Sequence, residues 1–129
     1  MILGIGTDII EIDRVGRAWT RKGTRFVDKI CSPREAKYIL RGNQKAQWER
    51  MAARFAGKEA VMKALGTGWR RGVAWREIEI LHEPSGRPYV NLLGKTAQLA
   101  EKMGIKTFHI SMSHNDSVAV AYVIALGDS

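Results

Sequence analysis

Two carboxylates sit where apolar residues belong. Glu59 lies four residues after Phe55 and three before Met62, inside the apolar stripe of a long helical pattern. Asp8 interrupts an Ile-rich segment between Ile5 and Ile9-Ile10, where strand propensity disfavours it. Burying an ionised carboxylate is costly unless a cation or hydrogen-bond donors compensate it. A pair of such groups suits a hard cation, because Mg²⁺ takes one or two carboxylates plus substrate phosphates and keeps several waters. Lys63, one turn beyond Glu59, would then cradle phosphate. The residues alone leave blander readings open. Glu59 and Lys63 are also spaced as a helical ion pair, worth roughly 0.2–0.5 kcal/mol, and Asp8 could cap backbone N–H groups at a strand end. His114, at a turn after Ser111-Met112-Ser113, could contact phosphate or shuttle a proton, or simply make a local hydrogen bond. His82 and His109 suggest nothing further.

Two other motifs carry no chemistry. Gly94-Lys95-Thr96 imitates the end of a phosphate loop, but that loop needs glycine where Tyr89 stands. Gly66-Thr67-Gly68 lacks the spacing of a dinucleotide fingerprint and reads as a helix stop with a loop that could border a ligand.

The elements that must position these groups follow from periodicity and punctuation. Ile2 to Ile12 reads as a buried strand, with Asp13 capping a helix behind it. Arg14, Arg17, Arg21 and Arg25 recur at spacings of three and four, so a helix through them carries a basic stripe. Ser32-Pro33-Arg34-Glu35 has the capping-box form and opens a short helix ending near Gly42. The longest helical pattern runs from about Lys45 to Leu65, with Trp48, Met51, Phe55, Met62 and Leu65 as its stripe and Gly66 as its stop. Beyond it come a hairpin (Trp75 to His82, Tyr89 to Leu92), a helix from Lys95 to Met103, and a second hairpin from Lys106 to Ser113 and Ser117 to Leu126. No repeat or linker divides the 129 residues. The expected fold is a single α+β domain, residues 1–129, whose mainly antiparallel sheet packs on the long central helix.

Composition narrows the class. The net charge is +8 and unevenly placed: residues 1–72 hold 16 Lys and Arg against 7 Asp and Glu, while residues 73–129 hold 5 against 6. Such a field attracts phosphate esters, nucleic acid or an acidic protein without choosing among them. Cys31 is the only cysteine, which rules out a disulfide framework within one subunit and fits a reducing compartment. The first residues lack the pattern of a signal peptide, and the longest apolar run, Val118 to Leu126, is less than half the roughly 20 residues of a membrane-spanning helix. A cytoplasmic protein without membrane contact is expected.

Gly6-Thr7-Asp8-Ile9 and the helical run Phe55-Ala56-Gly57-Lys58-Glu59-Ala60-Val61-Met62-Lys63-Ala64-Leu65-Gly66 resemble the two signature motifs of the 4′-phosphopantetheinyl transferases. The likeness continues through Gly66-Thr67-Gly68, Gly86-Arg87-Pro88 and Ser111-Met112-Ser113-His114, and is closest to the short holo-[acyl-carrier-protein] synthase branch. Gly57 departs from it, standing where the family has a small residue such as Ala, at a helix cost of about 0.5–1 kcal/mol. The resemblance implies an enzyme in which a serine of an apo-acyl-carrier protein attacks the β-phosphate of coenzyme A and adenosine 3′,5′-bisphosphate leaves. It implies Mg²⁺ on Asp8 and Glu59, with Lys63 completing the catalytic set and Glu59 or a metal-bound water as base. It implies coenzyme A contacts from Arg54, Lys58, Lys63, Gly66 and His114, and an acidic carrier helix against Arg14, Arg21 and Arg25. It further implies a homotrimer with active sites between subunits. Against it stand a basic RNA-binding module, which explains the charge but not the two carboxylates, and a non-catalytic module docking acidic partners, which needs only the arginines.

Overall fold

The computed structural model of the chain describes residues 1–66 and 73–128. Its element order is β1 (Ile2–Glu11), α1 (Ile12–Lys22), α2 (Thr24–Ile30), α3 (Pro33–Ile39), α4 (Gln44–Leu65), a 3₁₀ turn (Trp75–Glu77), β2 (Ile78–His82), β3 (Pro88–Leu92), α5 (Gly94–Lys102), β4 (Ile105–His114) and β5 (Val118–Gly127). Strands β1, β5 and β4 form one sheet in that order, with β2 and β3 a separate hairpin, and every pairing is antiparallel. The expected α+β architecture on a long helix is the one observed.

Helix α4 is the spine. Asn43 caps its first turn through Ala46 N, and Gly66, at φ 75°, ends it in the left-handed conformation that glycine adopts without strain. It lies against the inner face of β1 and β5, and the approach is close because glycines face it. A Cβ on Gly4 or Gly6 would fall inside the carbonyl oxygens of Ala64 and Ala60. Gly6→Ala is therefore expected to lower stability by about 1–3 kcal/mol, the usual cost of overpacking, and to push β1, with Asp8 on it, off the helix. A urea melt run beside the activity assay checks this, and a variant that melts like the parent refutes it. Gly57 has the same logic on another side: a Cβ there would overlap Ile80 Cδ1. Close packing of β2 thus offsets the loss of helix propensity.

Four expectations on local structure need correction. First, α4 has no single apolar stripe: Ala52, Ala56, Ala60 and Ala64 are buried along with Met51, Val61, Met62 and Leu65, because sheet and helices pack around most of its circumference. Second, β1 is an edge strand rather than a buried one. Gly4, Gly6, Asp8 and Ile10 face inward, whereas Ile5 and Ile9 are 67% and 65% exposed, next to Tyr122 at 57%. Apolar residues on both faces mimic burial on both faces. Third, β1 runs through Glu11, so that α1 starts at Ile12 and Asp13 falls within its first turn rather than capping it. Fourth, the arginine helix breaks at Gly23, φ 71°, which leaves Arg25 on α2.

The capping box of α3 is present in both directions, with Glu35 N bonded to Ser32 Oγ and Ser32 N to Glu35 Oε1. Glu35 is also fully buried, and it is paired with Lys58 of α4, likewise fully buried. Lys58 Nζ donates to Glu35 Oε1 at 2.6 Å, Trp75 O at 2.9 Å and Ile78 O at 2.5 Å, while Glu35 Oε2 accepts from Ile80 N at 3.0 Å. All three ammonium protons are used, tying α3, α4 and β2 together.

Candidate active site

Asp8 reaches its place by the alternation of β1, which turns it inward between Gly6 and Ile10. Glu59 and Lys63, one turn apart on α4, face it. Lys63 Nζ does not close on Glu59; it donates to Asp8 Oδ1 at 3.1 Å and to Thr7 O at 2.9 Å. Glu59 is left half-buried, and its carboxyl is raised above the usual range, by burial first and by the charge of Asp8 second, with Lys63 acting in the opposite sense. A carboxyl raised by a second carboxylate beside it marks a site in want of a cation. The donors are hard oxygens on the wall of a groove of about 720 Å³, which suits Mg²⁺. Among the described residues no group of three or more His, Cys, Asp or Glu gathers to hold a metal, so a cation here would rest on these two carboxylates. Arg14, Arg17 and Arg21 of α1 line the other wall, and Phe26 and Phe55 the apolar part. The groove continues into a second one of about 630 Å³, where Arg25 and Lys29 rim Phe55 and Trp75. Arg25 is thus adjacent to the arginine stripe without belonging to it.

Arg54 and His114 come together, but elsewhere. Both line a cavity of about 330 Å³ with Tyr38, Arg50 and His82, and no residue lines both this cavity and the carboxylate groove. The cause is helical: Arg54 and Glu59 are five residues apart, about 140° around α4. The Arg54 guanidinium is buried, lies 4.5 Å over the Tyr38 ring, and donates to Ile80 O at 3.2 Å and His82 Nδ1 at 3.1 Å. His114 stands 3.7 Å from Glu49. Two expected coenzyme A contacts are not brought to either cavity. Lys58 is enclosed by Glu35 and backbone carbonyls, and Gly66 serves as the helix stop; Thr67 and Gly68 lie outside the described residues. Cys31 is buried, its thiol pushed up to about 12 by burial and then by Glu35, which removes it as a nucleophile. The reading of the residues missed Tyr38, Arg50 and His82. Only Arg50 had a signal, four residues before Arg54 on one helix face.

Residues 4–123 match the model of the 4′-phosphopantetheinyl transferase superfamily. The chain belongs to this family. Among its transferase relatives, the holo-[acyl-carrier-protein] synthase of Koribacter versatilis is 48% identical over 124 residues, 96% of this chain and 98% of that protein, and the one from Solibacter usitatus is 44% identical over the same span. The crystal structure of the synthase from Neisseria meningitidis superposes with a TM-score of 0.90 at 35% identity, covering 98% of this chain and 99% of the other. The Bacillus anthracis synthase, solved in complex with CoA (3′,5′-ADP), gives 0.82 at 32% identity, covering 99% of each. No helix among the described residues is long and apolar enough to cross a membrane.

Proposed function

We propose that this phosphopantetheinyl transferase moves the 4′-phosphopantetheine arm of coenzyme A onto a serine of an apo-acyl-carrier protein and releases adenosine 3′,5′-bisphosphate. The observation that carries the reading is the juxtaposition, in one groove, of an Asp8–Glu59–Lys63 cluster with the arginine wall of α1. The serine oxygen bonds to the β-phosphorus, the bond from that phosphorus to the bridging oxygen of the α-phosphate breaks, and the hydroxyl proton passes to a base, for which Glu59 is the chain's own carboxylate. Asp8 and Glu59 would hold Mg²⁺, which would supply neutralisation of the pyrophosphate charge. Lys63 orients the phosphate, and the carboxylates face a field that is otherwise positive. A nucleic-acid module has no use for two acidic groups in its cleft.

Arg54 and His114 hold the phosphates at the other end of coenzyme A. Since their cavity and the carboxylate groove occupy different sides of α4, a complete site needs one from each of two copies. The exposed Ile5, Ile9 and Tyr122 on the outer face of the sheet offer the apolar surface for that association, and a homotrimer in the cytoplasm is the assembly proposed. The experiment is a mass spectrum of an acidic apo-carrier protein after incubation with this chain, coenzyme A and Mg²⁺, with EDTA in the control. A metal-dependent gain of one phosphopantetheine supports the reading; several competent carriers left unmodified would overturn it.

Arg14 and Arg21 are assigned to the carrier's acidic helix, with Arg25 at the margin. Reversing both charges in Arg14→Glu/Arg21→Glu is expected to raise KM for the carrier about tenfold or more while KM for coenzyme A holds, with the difference shrinking at high salt. Equal effects on both substrates would place these arginines at the coenzyme instead.

A further inference from the structure

His82, like His109, has nothing to recommend it in the sequence, yet the fold gives it a defined task. It ends β2 with its ring stacked on Tyr38 at 4.7 Å between centroids and 19° between planes. Its Nδ1 lies 3.1 Å from the Arg54 guanidinium. Arginine has donors only, so this bond exists only when Nδ1 carries a lone pair, that is, when the ring is neutral with its proton on Nε2. Arg54 is otherwise held by Ile80 O and the face of Tyr38, and its buried Nε has no partner among the described residues. One of the two hydrogen bonds that aim this guanidinium therefore depends on the protonation of His82.

We propose that His82 is a positioning residue that holds Arg54 ready for the phosphate end of coenzyme A, and that protonation of His82 releases Arg54 and weakens coenzyme binding. The inference rests on the proposed role of Arg54. A protonated ring would set a cationic N–H against a guanidinium, replacing an attraction by a repulsion at hydrogen-bond distance.

The surroundings give the extra charge no relief. From α3, Glu35 is already used by Lys58 and backbone N–H groups, and Arg34 is paired at 3.7 Å with Glu79 of β2, so neither carboxylate is a free counter-charge. From α4, Arg50 and Arg54 are cations, while Glu49 stands against His114 of β4. Tyr38 and, from β3, Tyr89 bring no carboxylate to the ring. Burial first and Arg54 second hold His82 below its ordinary 6.5. The sign follows: the interaction is fully present above pH 6.5 and is lost as the pH falls through the lowered value.

The test measures coenzyme A affinity and steady-state kinetics of the full-length protein from pH 5.5 to 8. It uses the parent, His82→Asn, His82→Phe and Arg54→Ala, each checked for fold by circular dichroism. Asn offers a side-chain oxygen close to the Nδ1 position that does not titrate; Phe keeps the stack on Tyr38 without an acceptor. His82→Phe is expected to weaken coenzyme A binding about tenfold at pH 8, the worth of one hydrogen bond to a charged group, with kcat at saturating coenzyme changed less than about twofold. His82→Asn should bind like the parent at pH 8 and lose less affinity than the parent at pH 5.5. Every other group is common to both proteins, so the difference between them reports His82 alone. Unchanged binding in His82→Phe, or identical pH profiles for the parent and His82→Asn, overturns the inference while leaving the transferase reading intact. Unchanged binding in Arg54→Ala overturns the role of Arg54 itself, and the inference with it.

Discussion

Replacing Asp8 or Glu59 by alanine is expected to lower kcat/KM for carrier modification about 10³-fold or more while the melting temperature holds or rises slightly. The two halves of this result have one cause. Glu59 is half-buried on α4 with its carboxyl raised, by burial and then by Asp8, and Lys63 is engaged by Asp8 and Thr7 O. Burial and the charge of Asp8 disfavour the ionised form of Glu59 in the folded chain, a cost that the unfolded chain does not bear. The linkage has the corresponding sign: a raised carboxyl favours folding below its unfolded value near 4.5 and disfavours it as pH rises through the folded value. Glu59→Gln should remove that burden, raising the melting temperature by roughly 1–2 °C in EDTA, a gain kept small by solvent screening of a half-exposed group. Added Mg²⁺ with coenzyme A should stabilise the parent more than either variant. A variant that loses activity and several degrees together would mark the carboxylates as structural; one that keeps its activity would remove them from the chemistry. Local cost at a site that function requires is the expected form of a stability–activity trade-off.

The second large effect is on stability. Lys58→Met leaves the Glu35 carboxylate fully buried with its cation removed, and breaking a buried pair from one side costs about 3–5 kcal/mol. For a chain of this length that is a fall of roughly 10–25 °C in melting temperature. Adding Glu35→Gln to Lys58→Met should recover part of the loss, giving a double variant less destabilised than the sum of the singles. Thermal and urea melts of the cycle measure this. Had Lys58 bound coenzyme A, as its place in the helix motif suggested, the substitution would instead raise KM for the coenzyme and leave the melts unchanged. The same lysine thus separates the two roles in one pair of measurements.

The reason Lys58 parts from Glu59 and Lys63 is general to α4. A motif of consecutive residues spreads around all sides of a helix, so membership in it does not mean membership in one site. Glu59 and Lys63, four apart, do share a face and meet Asp8; Lys58 points to α3 and β2, and Arg54 to the cavity of Tyr38 and His82. The break at Gly23 is similar: spacing put Arg25 in line with Arg14 and Arg21, and a single positive φ put it on the next helix.

What the amino-acid sequence determined by itself is whatever depends on neighbours along the chain. The α4 stop at Gly66, the Ser32 capping box, the two hairpins and the out-of-place carboxylates Asp8 and Glu59 were all legible, because propensity, capping and alternation act over a few residues. Only the tertiary structure decided which charges are spent and which are free. Lys63 closes on Asp8 across 55 positions, Lys58 is consumed by Glu35 across 23, and His82 meets Arg54 across 28. Such contacts are set by how strands and helices pack, and the energy of a buried charge depends on what the fold places around it.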